Sequence, residues 1–168
     1  MTKNKCALFM IVAGAMLASP AVQAQTWSTI GSSCQPGSAS IGLYSYSDAT
    51  FQFASGETGQ ISTRCQVNDP LDSGVPAWKT LTVGYVDPDG TQGNYEVQAK
   101  LLRVAKGTGV ETTIVIFDSD AHTQKVATSK SVTFTHTFDF TNYSYFVSLV
   151  VNRGDSSANP GVWFASLK

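Results

Sequence analysis

The chain has 168 residues, with 11 lysines and arginines against 12 aspartates and glutamates. Charged residues make up only 14% of it, well below the roughly 25% usual for soluble domains, while Ser, Thr and Gly are abundant. No stretch concentrates lysine and arginine, so the neutralisation of phosphates that dominates nucleic-acid affinity has no source, and we expect no nucleic-acid partner.

The N-terminus has the pattern of a bacterial-type export signal. Lys3 and Lys5 precede a short apolar run at 6–17, which a proline and several small residues follow, as at a signal-peptidase site. The run is shorter than the roughly 18 to 20 residues that a membrane-spanning helix needs, and no second such run follows. We therefore expect residues 1–24 to be a cleaved signal peptide. Residues 25–168 are expected to form one secreted domain, periplasmic or extracellular, with no membrane span.

Two cysteines, Cys34 and Cys65, remain after that cleavage, an even number in an exported chain. Because oxidising compartments favour disulfides, we expect the two to be joined. The alternative is a cysteine nucleophile or metal ligand, which depends on a free thiol that export disfavours.

The remaining sequence predicts strands and no helix. Apolar and polar residues alternate with a period of two in several short segments, and nothing sustains a period of 3.6 over the dozen residues that a helix requires. The predicted strands are 41–46, 50–53, 59–67, 78–86, 94–105, 110–117, 132–140, 144–153 and 161–167. The pattern therefore predicts an all-β, single-domain antiparallel β-sandwich of eight or nine strands, either immunoglobulin-like or jelly-roll.

The same alternation predicts which side chains face the core. The segment 110–117 ends in a continuous apolar run, which is typical of a strand covered on both faces. The predicted core residues are Val83, Tyr85, Val97, Leu101, Ile114, Ile116, Phe134, Phe138, Val147, Leu149 and Val151.

Catalytic motifs are missing from the sequence. It contains no nucleophile elbow, no H-E-x-x-H zinc motif, no P-loop and no dinucleotide fingerprint. A carboxylate pair could cleave glycosides, as in a secreted hydrolase, but the acidic residues lie mainly in predicted turns. We therefore interpret the chain as a non-catalytic exported protein with an interaction or structural role and a protein or glycan partner.

The alternative function is glycan binding. Sugar-binding sandwiches stack pyranose rings on exposed aromatic side chains, and most aromatics here fall on predicted core faces. Trp78 is the exception, because it shares a face of its predicted strand with Thr80 and Thr82. Trp78 is therefore the candidate ligand-binding residue. The alternative, which we favour because large aromatics are usually mostly buried, is that a neighbouring loop covers it and its role is structural.

Two acidic turns suggest a metal site. Asp87 and Asp89 follow one predicted strand, and Asp118 and Asp120 follow another. If the strands form an antiparallel meander, both turns lie at the same end of the sandwich. Clustered carboxylates repel one another unless a cation binds, and Ca²⁺ takes about 6 to 8 oxygen ligands. These four aspartates therefore form a hypothetical calcium site, and no other cofactor is expected. The alternative, which we favour because no complete calcium-loop motif is present, is separate solvated turns.

Overall fold

A computed structural model describes residues 25–69 and 74–168 of the chain. Two antiparallel sheets enclose one hydrophobic core, which confirms the predicted all-β sandwich. Within the described ranges the only helical elements are 3₁₀ turns of three residues, and no helix is long and apolar enough to cross a membrane. The predicted signal peptide, residues 1–24, lies outside the described residues.

The two sheets contain six and five strands, and every strand pair is antiparallel. The six-stranded sheet has the order β3 (Tyr44–Ser47), β4 (Thr50–Phe53), β11 (Gly161–Leu167), β6 (Thr80–Val86) and β9 (Thr128–Thr133), with β1 (Trp27–Ile30) paired to β11. The five-stranded sheet has the order β2 (Gln35–Pro36), β5 (Gly59–Val67), β10 (Tyr143–Arg153), β7 (Tyr95–Ala105) and β8 (Glu111–Asp118). The described residues hold more strands than the eight or nine expected, because β1 and β2 are too short to show an alternation.

Nine of the eleven predicted core residues are buried between the sheets, and the two in β8 are not. Ile116 is 49% exposed, and Ile114 is only half-buried against the core. In β8 it is Phe117 that is buried, because it pairs with the buried Ala99 of β7, whereas Ile116 pairs with Lys100. A continuous apolar run carries no alternation from which this orientation could be inferred.

The predicted strand 132–140 is wrong over most of its length. β9 ends at Thr133, and residues 134–139 belong to no strand, although Phe134 and Phe138 are buried as expected. This segment leads from β9 in one sheet to β10 in the other. Among the described residues, its one backbone contact with the six-stranded side is the Phe134 N–H, which donates to the Lys79 oxygen at 2.8 Å. It packs alternate side chains against the core without a β-ladder, so the period-two pattern reflects burial.

The predicted disulfide is present. Cys34 and Cys65 are bonded, both are buried, and they are 31 positions apart in the sequence. Cys34 precedes β2 and Cys65 lies in β5, so the bond fastens the N-terminal part of the chain to the five-stranded sheet.

The predicted meander is also corrected. β6 and β7 belong to different sheets, so residues 87–94 cross from one sheet to the other and do not form a hairpin. The chain nevertheless reverses direction at each turn. The turn after β6 therefore meets the turn after β8, where Ser119 Oγ donates a hydrogen bond of 2.6 Å to Asp87.

Candidate functional site

Trp78 is not available to a ligand. Its side chain is 1% exposed, and its ring packs edge-on against Phe138 with 5.0 Å between the ring centroids. The indole Nε1 donates a hydrogen bond of 2.7 Å to the backbone oxygen of Gln25. β6 begins at Thr80, so the alternation within that strand says nothing about the orientation of Trp78. The structural alternative for this residue is correct, and the ligand-binding prediction is wrong.

A different pair of aromatics lies on the outer face of the six-stranded sheet. β11 contains a β-bulge between Val162 and Phe164, and Phe164 pairs with Gly84 of β6. Val162 faces the core, whereas the rings of Trp163 and Phe164 both cover Gly84 so closely that a Cβ there would overlap them. Glycine within a strand often marks such a close approach, and bulges redirect side chains. We call Trp163 and Phe164 the aromatic platform.

The aromatic platform is separate from the hydrophobic core. Trp163 and Phe164 are half-buried, and neither belongs to the buried core cluster or to the side chains packed against it. Their ring centroids are 6.4 Å apart, and their planes are inclined by 57°. None of the described residues accepts a hydrogen bond from the Trp163 indole N–H. Both rings are therefore partly open to a ligand.

A shallow concavity lies beside Phe164, where β1 pairs with β11. Its volume is about 500 Å³, and its lining consists of Ser28, Thr29, Ile30, Ser33 and Phe164. Ile30 is 48% exposed and supplies an apolar wall. The Thr29 and Ser33 hydroxyls lie 2.8 Å apart, and Ser33 donates to the Ile30 backbone oxygen at 2.9 Å. We call this feature the β1 concavity.

Hydroxyl groups also flank the platform on the side of β6 and β9. Thr82 lies two positions from Gly84 on the same face, and its hydroxyl is 2.8 Å from that of Ser131. None of the residues of the platform, the β1 concavity or this hydroxyl pair is ionisable at neutral pH. The surface can therefore stack against a ligand and exchange hydrogen bonds with it, but it holds no carboxylate, imidazole or thiol for acid–base or nucleophilic chemistry.

The outer face of the five-stranded sheet has a different character, because its polar side chains pair with one another. Arg64 lies over the ring of Phe146, 4.8 Å from its centroid, and forms an ion pair of 3.4 Å with Glu111. Gln98 and Asn152 both donate hydrogen bonds to Glu96. The outer face of the six-stranded sheet instead carries two adjacent aromatic rings beside a concavity, so we place the candidate site there.

The acidic turns meet at one end of the sandwich, but Asp87 is not free to bind a metal. It is fully buried, it accepts the hydrogen bond from Ser119, and its other oxygen accepts one from the Gly90 backbone N–H at 3.3 Å. Burial raises the pKa of Asp87 to about 7, and nearby Asp89 contributes to the shift. Asp87 therefore joins the two turns as an internal acceptor, which corrects its predicted role as a ligand.

Three other acidic residues at this end have carboxylate oxygens close enough together to bind one metal ion. Asp118, Asp120 and Glu96 each offer one oxygen within 4.8 Å of the others. Glu96 lies within β7 and not in a turn, so the sequence pattern missed it. Burial, followed by the charges of Asp118 and Glu96, raises the pKa of Asp120 to about 6. Asp89 instead binds the Asn94 backbone N–H at 3.0 Å. Calcium at this end stays a prediction.

Comparisons with known proteins yield similarity of fold alone. No protein-family model and no curated protein matches the chain. One similar solved structure is the CBM36-1 domain of a multidomain xylanase from the hindgut metagenome of Trinervitermes trinervoides, with 8% identity, a TM-score of 0.46, and coverage of 86% of this chain and 97% of that one. Another is the low-affinity xylan-binding module CBM86 from Roseburia intestinalis, with 8% identity, a TM-score of 0.42, and coverage of 86% and 95%. A third is TmCBM61 in complex with β-1,4-galactotriose, with 10% identity, a TM-score of 0.40, and coverage of 84% and 86%.

Proposed function

We propose that the chain is an exported, non-catalytic carbohydrate-binding protein whose ligand lies on the aromatic platform and the β1 concavity. The observation that carries this proposal is the placement of Trp163 and Phe164 next to each other, outside the core and over a glycine. The face of an aromatic ring is electron-rich, so it attracts the C–H groups that line one side of a pyranose ring. A tryptophan ring in this position is therefore suited to stack on a sugar.

The polar groups around the platform support the same proposal. Ligand sites combine an apolar surface with a few placed hydrogen-bonding groups, and here these are the hydroxyls of Ser28, Thr82 and Ser131. Glycoside cleavage requires two carboxyl groups that flank the bond, and the residues of this surface include none. The disulfide between Cys34 and Cys65 supports the export part of the proposal, because such bonds persist in oxidising compartments.

A glycan array on the protein recovered after export of the full chain tests the proposal, followed by calorimetry with the best ligand. We expect Trp163→Ala to weaken binding about tenfold or more, because a loss of about 1.4 kcal/mol changes the dissociation constant tenfold. Trp163→Phe keeps a smaller aromatic ring, so we expect its affinity to lie between that of the wild-type protein and that of Trp163→Ala.

The matched control is Phe146→Ala, which removes a half-buried aromatic from the outer face of the other sheet. We expect it to leave the affinity unchanged. An array without binding, or equal losses in the Trp163 and Phe146 variants, would contradict the proposal. The alternative, an exported interaction or structural protein with a protein partner, would then be favoured.

A further inference from the structure

We propose that the ligand of this surface is a single, neutral glycan chain whose successive sugar units are twisted relative to each other, and not a flat crystalline surface or an anionic chain. This inference rests on the proposed function and specifies the class of ligand for the same site. Three features of the described residues carry it: the angle between the two rings, the shape beside Phe164, and the charge of the surface.

The first feature is the geometry of the aromatic platform. The planes of Trp163 and Phe164 are inclined by 57°, with 6.4 Å between the ring centroids. A crystalline polysaccharide presents coplanar sugar faces, so it can lie flat on only one of two rings that are inclined this strongly. A single chain rotates about its glycosidic bonds, and it can therefore turn one sugar toward Trp163 and the next toward Phe164.

The second feature is the β1 concavity. Its volume of about 500 Å³ falls in the range of roughly 300 to 1,000 Å³ that is usual for small-molecule sites. It opens beside Phe164, so the chain that stacks on that ring can place its next unit there. Ile30 offers an apolar contact to this unit, and Ser28, Thr29 and Ser33 offer hydroxyl groups. A rigid flat surface cannot enter a concavity, whereas a flexible chain can, and the site then spans about three sugar units.

The third feature is the absence of charge from the site. The residues of the platform and the β1 concavity are two aromatics, one isoleucine, two serines and one threonine, and none of them carries a charge. Recognition of carboxylate or sulfate groups relies on arginine or lysine side chains, which form strong charge-assisted hydrogen bonds. An anionic chain would lose hydration at this surface and find no cation in exchange. A neutral chain offers uncharged hydroxyl groups and ether oxygens, which can exchange hydrogen bonds with the hydroxyls of Ser28, Thr29 and Ser33.

Binding measurements with three classes of ligand test this inference separately from the proposed function. Binding of the exported protein is measured to neutral soluble oligosaccharides and polysaccharides, to polygalacturonate, and to microcrystalline cellulose. We expect binding to at least one neutral soluble chain, with at least tenfold weaker binding to polygalacturonate and no retention on the crystalline surface. Retention on cellulose alone, or preference for the anionic chain, would overturn this inference and leave carbohydrate binding intact. Failure to bind any of the three classes would overturn both.

The length of the glycan ligand and one matched pair of protein variants test the role of the β1 concavity. We expect the affinity of the wild-type protein to rise at least threefold from disaccharide to trisaccharide. Ile30→Ser should remove most of that rise, because Ile30 supplies the apolar wall of the concavity that receives the third unit. The control is Ile116→Ser, since Ile116 is 49% exposed against 48% for Ile30 and lies in the other sheet. Equal effects of the two variants, or no dependence on chain length, would overturn the assignment of a third unit to the concavity.

Discussion

Phe138 occupies the centre of an aromatic cluster that closes one end of the core. It is 1% exposed, and its ring centroid lies 5.0 Å from that of Trp78, 4.9 Å from that of Tyr145 and 5.1 Å from that of His136. It belongs to the unpaired segment between β9 and β10 and not to a strand. Its contribution to stability therefore comes from packing between side chains, without support from a β-ladder.

We predict that Phe138→Ala lowers the free energy of unfolding by about 3 to 5 kcal/mol, the usual cost of removing a buried phenylalanine. Such a loss is a large share of the roughly 5 to 15 kcal/mol available to a typical domain. Urea denaturation monitored by tryptophan fluorescence measures the difference. Phe146→Ala, on an outer face, serves as the comparison and is expected to cost much less. A loss below about 1 kcal/mol for Phe138 would show that its segment does not pack as described.

Among the elements, the two acidic turns contain buried carboxylate oxygens without hydrogen-bond partners in the described part of the chain. Asp89 and Asp120 each have one side-chain oxygen that is buried without a hydrogen-bond partner among the described residues. The neighbouring carboxylates of Asp118 and Glu96 raise the pKa of Asp120 further. A bound cation would provide a partner for these oxygens and reduce the repulsion between the carboxylates. This is the physical basis of the calcium prediction.

We predict that Ca²⁺ raises the melting temperature of chelator-treated protein, and raises it more at pH 8 than at pH 5. The ligands must be deprotonated to bind a cation, and the pKa of Asp120 of about 6 lies between these two conditions. Calorimetry measures the effect. Asp118→Asn should reduce it, whereas Asp48→Asn should not, since Asp48 is exposed in a turn at another place and asparagine tolerates its φ of 51°. Unchanged melting at millimolar Ca²⁺ would leave solvated turns as the correct alternative.

For the whole molecule, the buried carboxyl of Asp87 affects how stability depends on pH. Its pKa is about 7 in the folded protein against 3.8 for the free side chain, so the folded state binds an extra proton between these values. The resulting stabilisation is complete below about pH 4 and is lost as the pH rises to 7. Burial lowers the pKa of His136 from 6.5, so protonation of this group destabilises the folded state as the pH falls below that value. Asp155, whose hydrogen bonds with Ser157 and Tyr95 lower its pKa, favours the folded state above about pH 4.

We predict that Asp87→Asn removes part of this pH dependence. The free energy of unfolding of the wild-type protein, minus that of the variant, should fall from pH 5 to about pH 7 and then level off toward pH 8, in the presence of a chelator. The subtraction isolates Asp87, because His136 and Asp155 contribute to both proteins alike. Urea denaturation at each pH provides the values. A difference that is constant across this range would show that Asp87 keeps an ordinary pKa.

The sequence by itself determined the features that depend on neighbouring residues or on composition. An alternation with a period of two follows from strand geometry alone, so it identified most strands and most core-facing residues. The pairing of Cys34 with Cys65 followed from their number in an exported chain. The aromatic platform left a partial signal as well: Trp163 and Phe164 are adjacent, so in a regular strand one of them must face outward.

Tertiary structure decided everything that depends on register and on contact between distant segments. The bulge in β11 that brings both platform rings to one face exists only in relation to β6, about 80 positions earlier in the chain. The burial of Trp78 depends on Phe138 and Gln25, and the orientation of β8 depends on its pairing with β7. Strand periodicity is a local steric property and can be observed in a short segment. Register is fixed by packing across the whole sandwich, so a single residue of shift reverses the face of every side chain that follows.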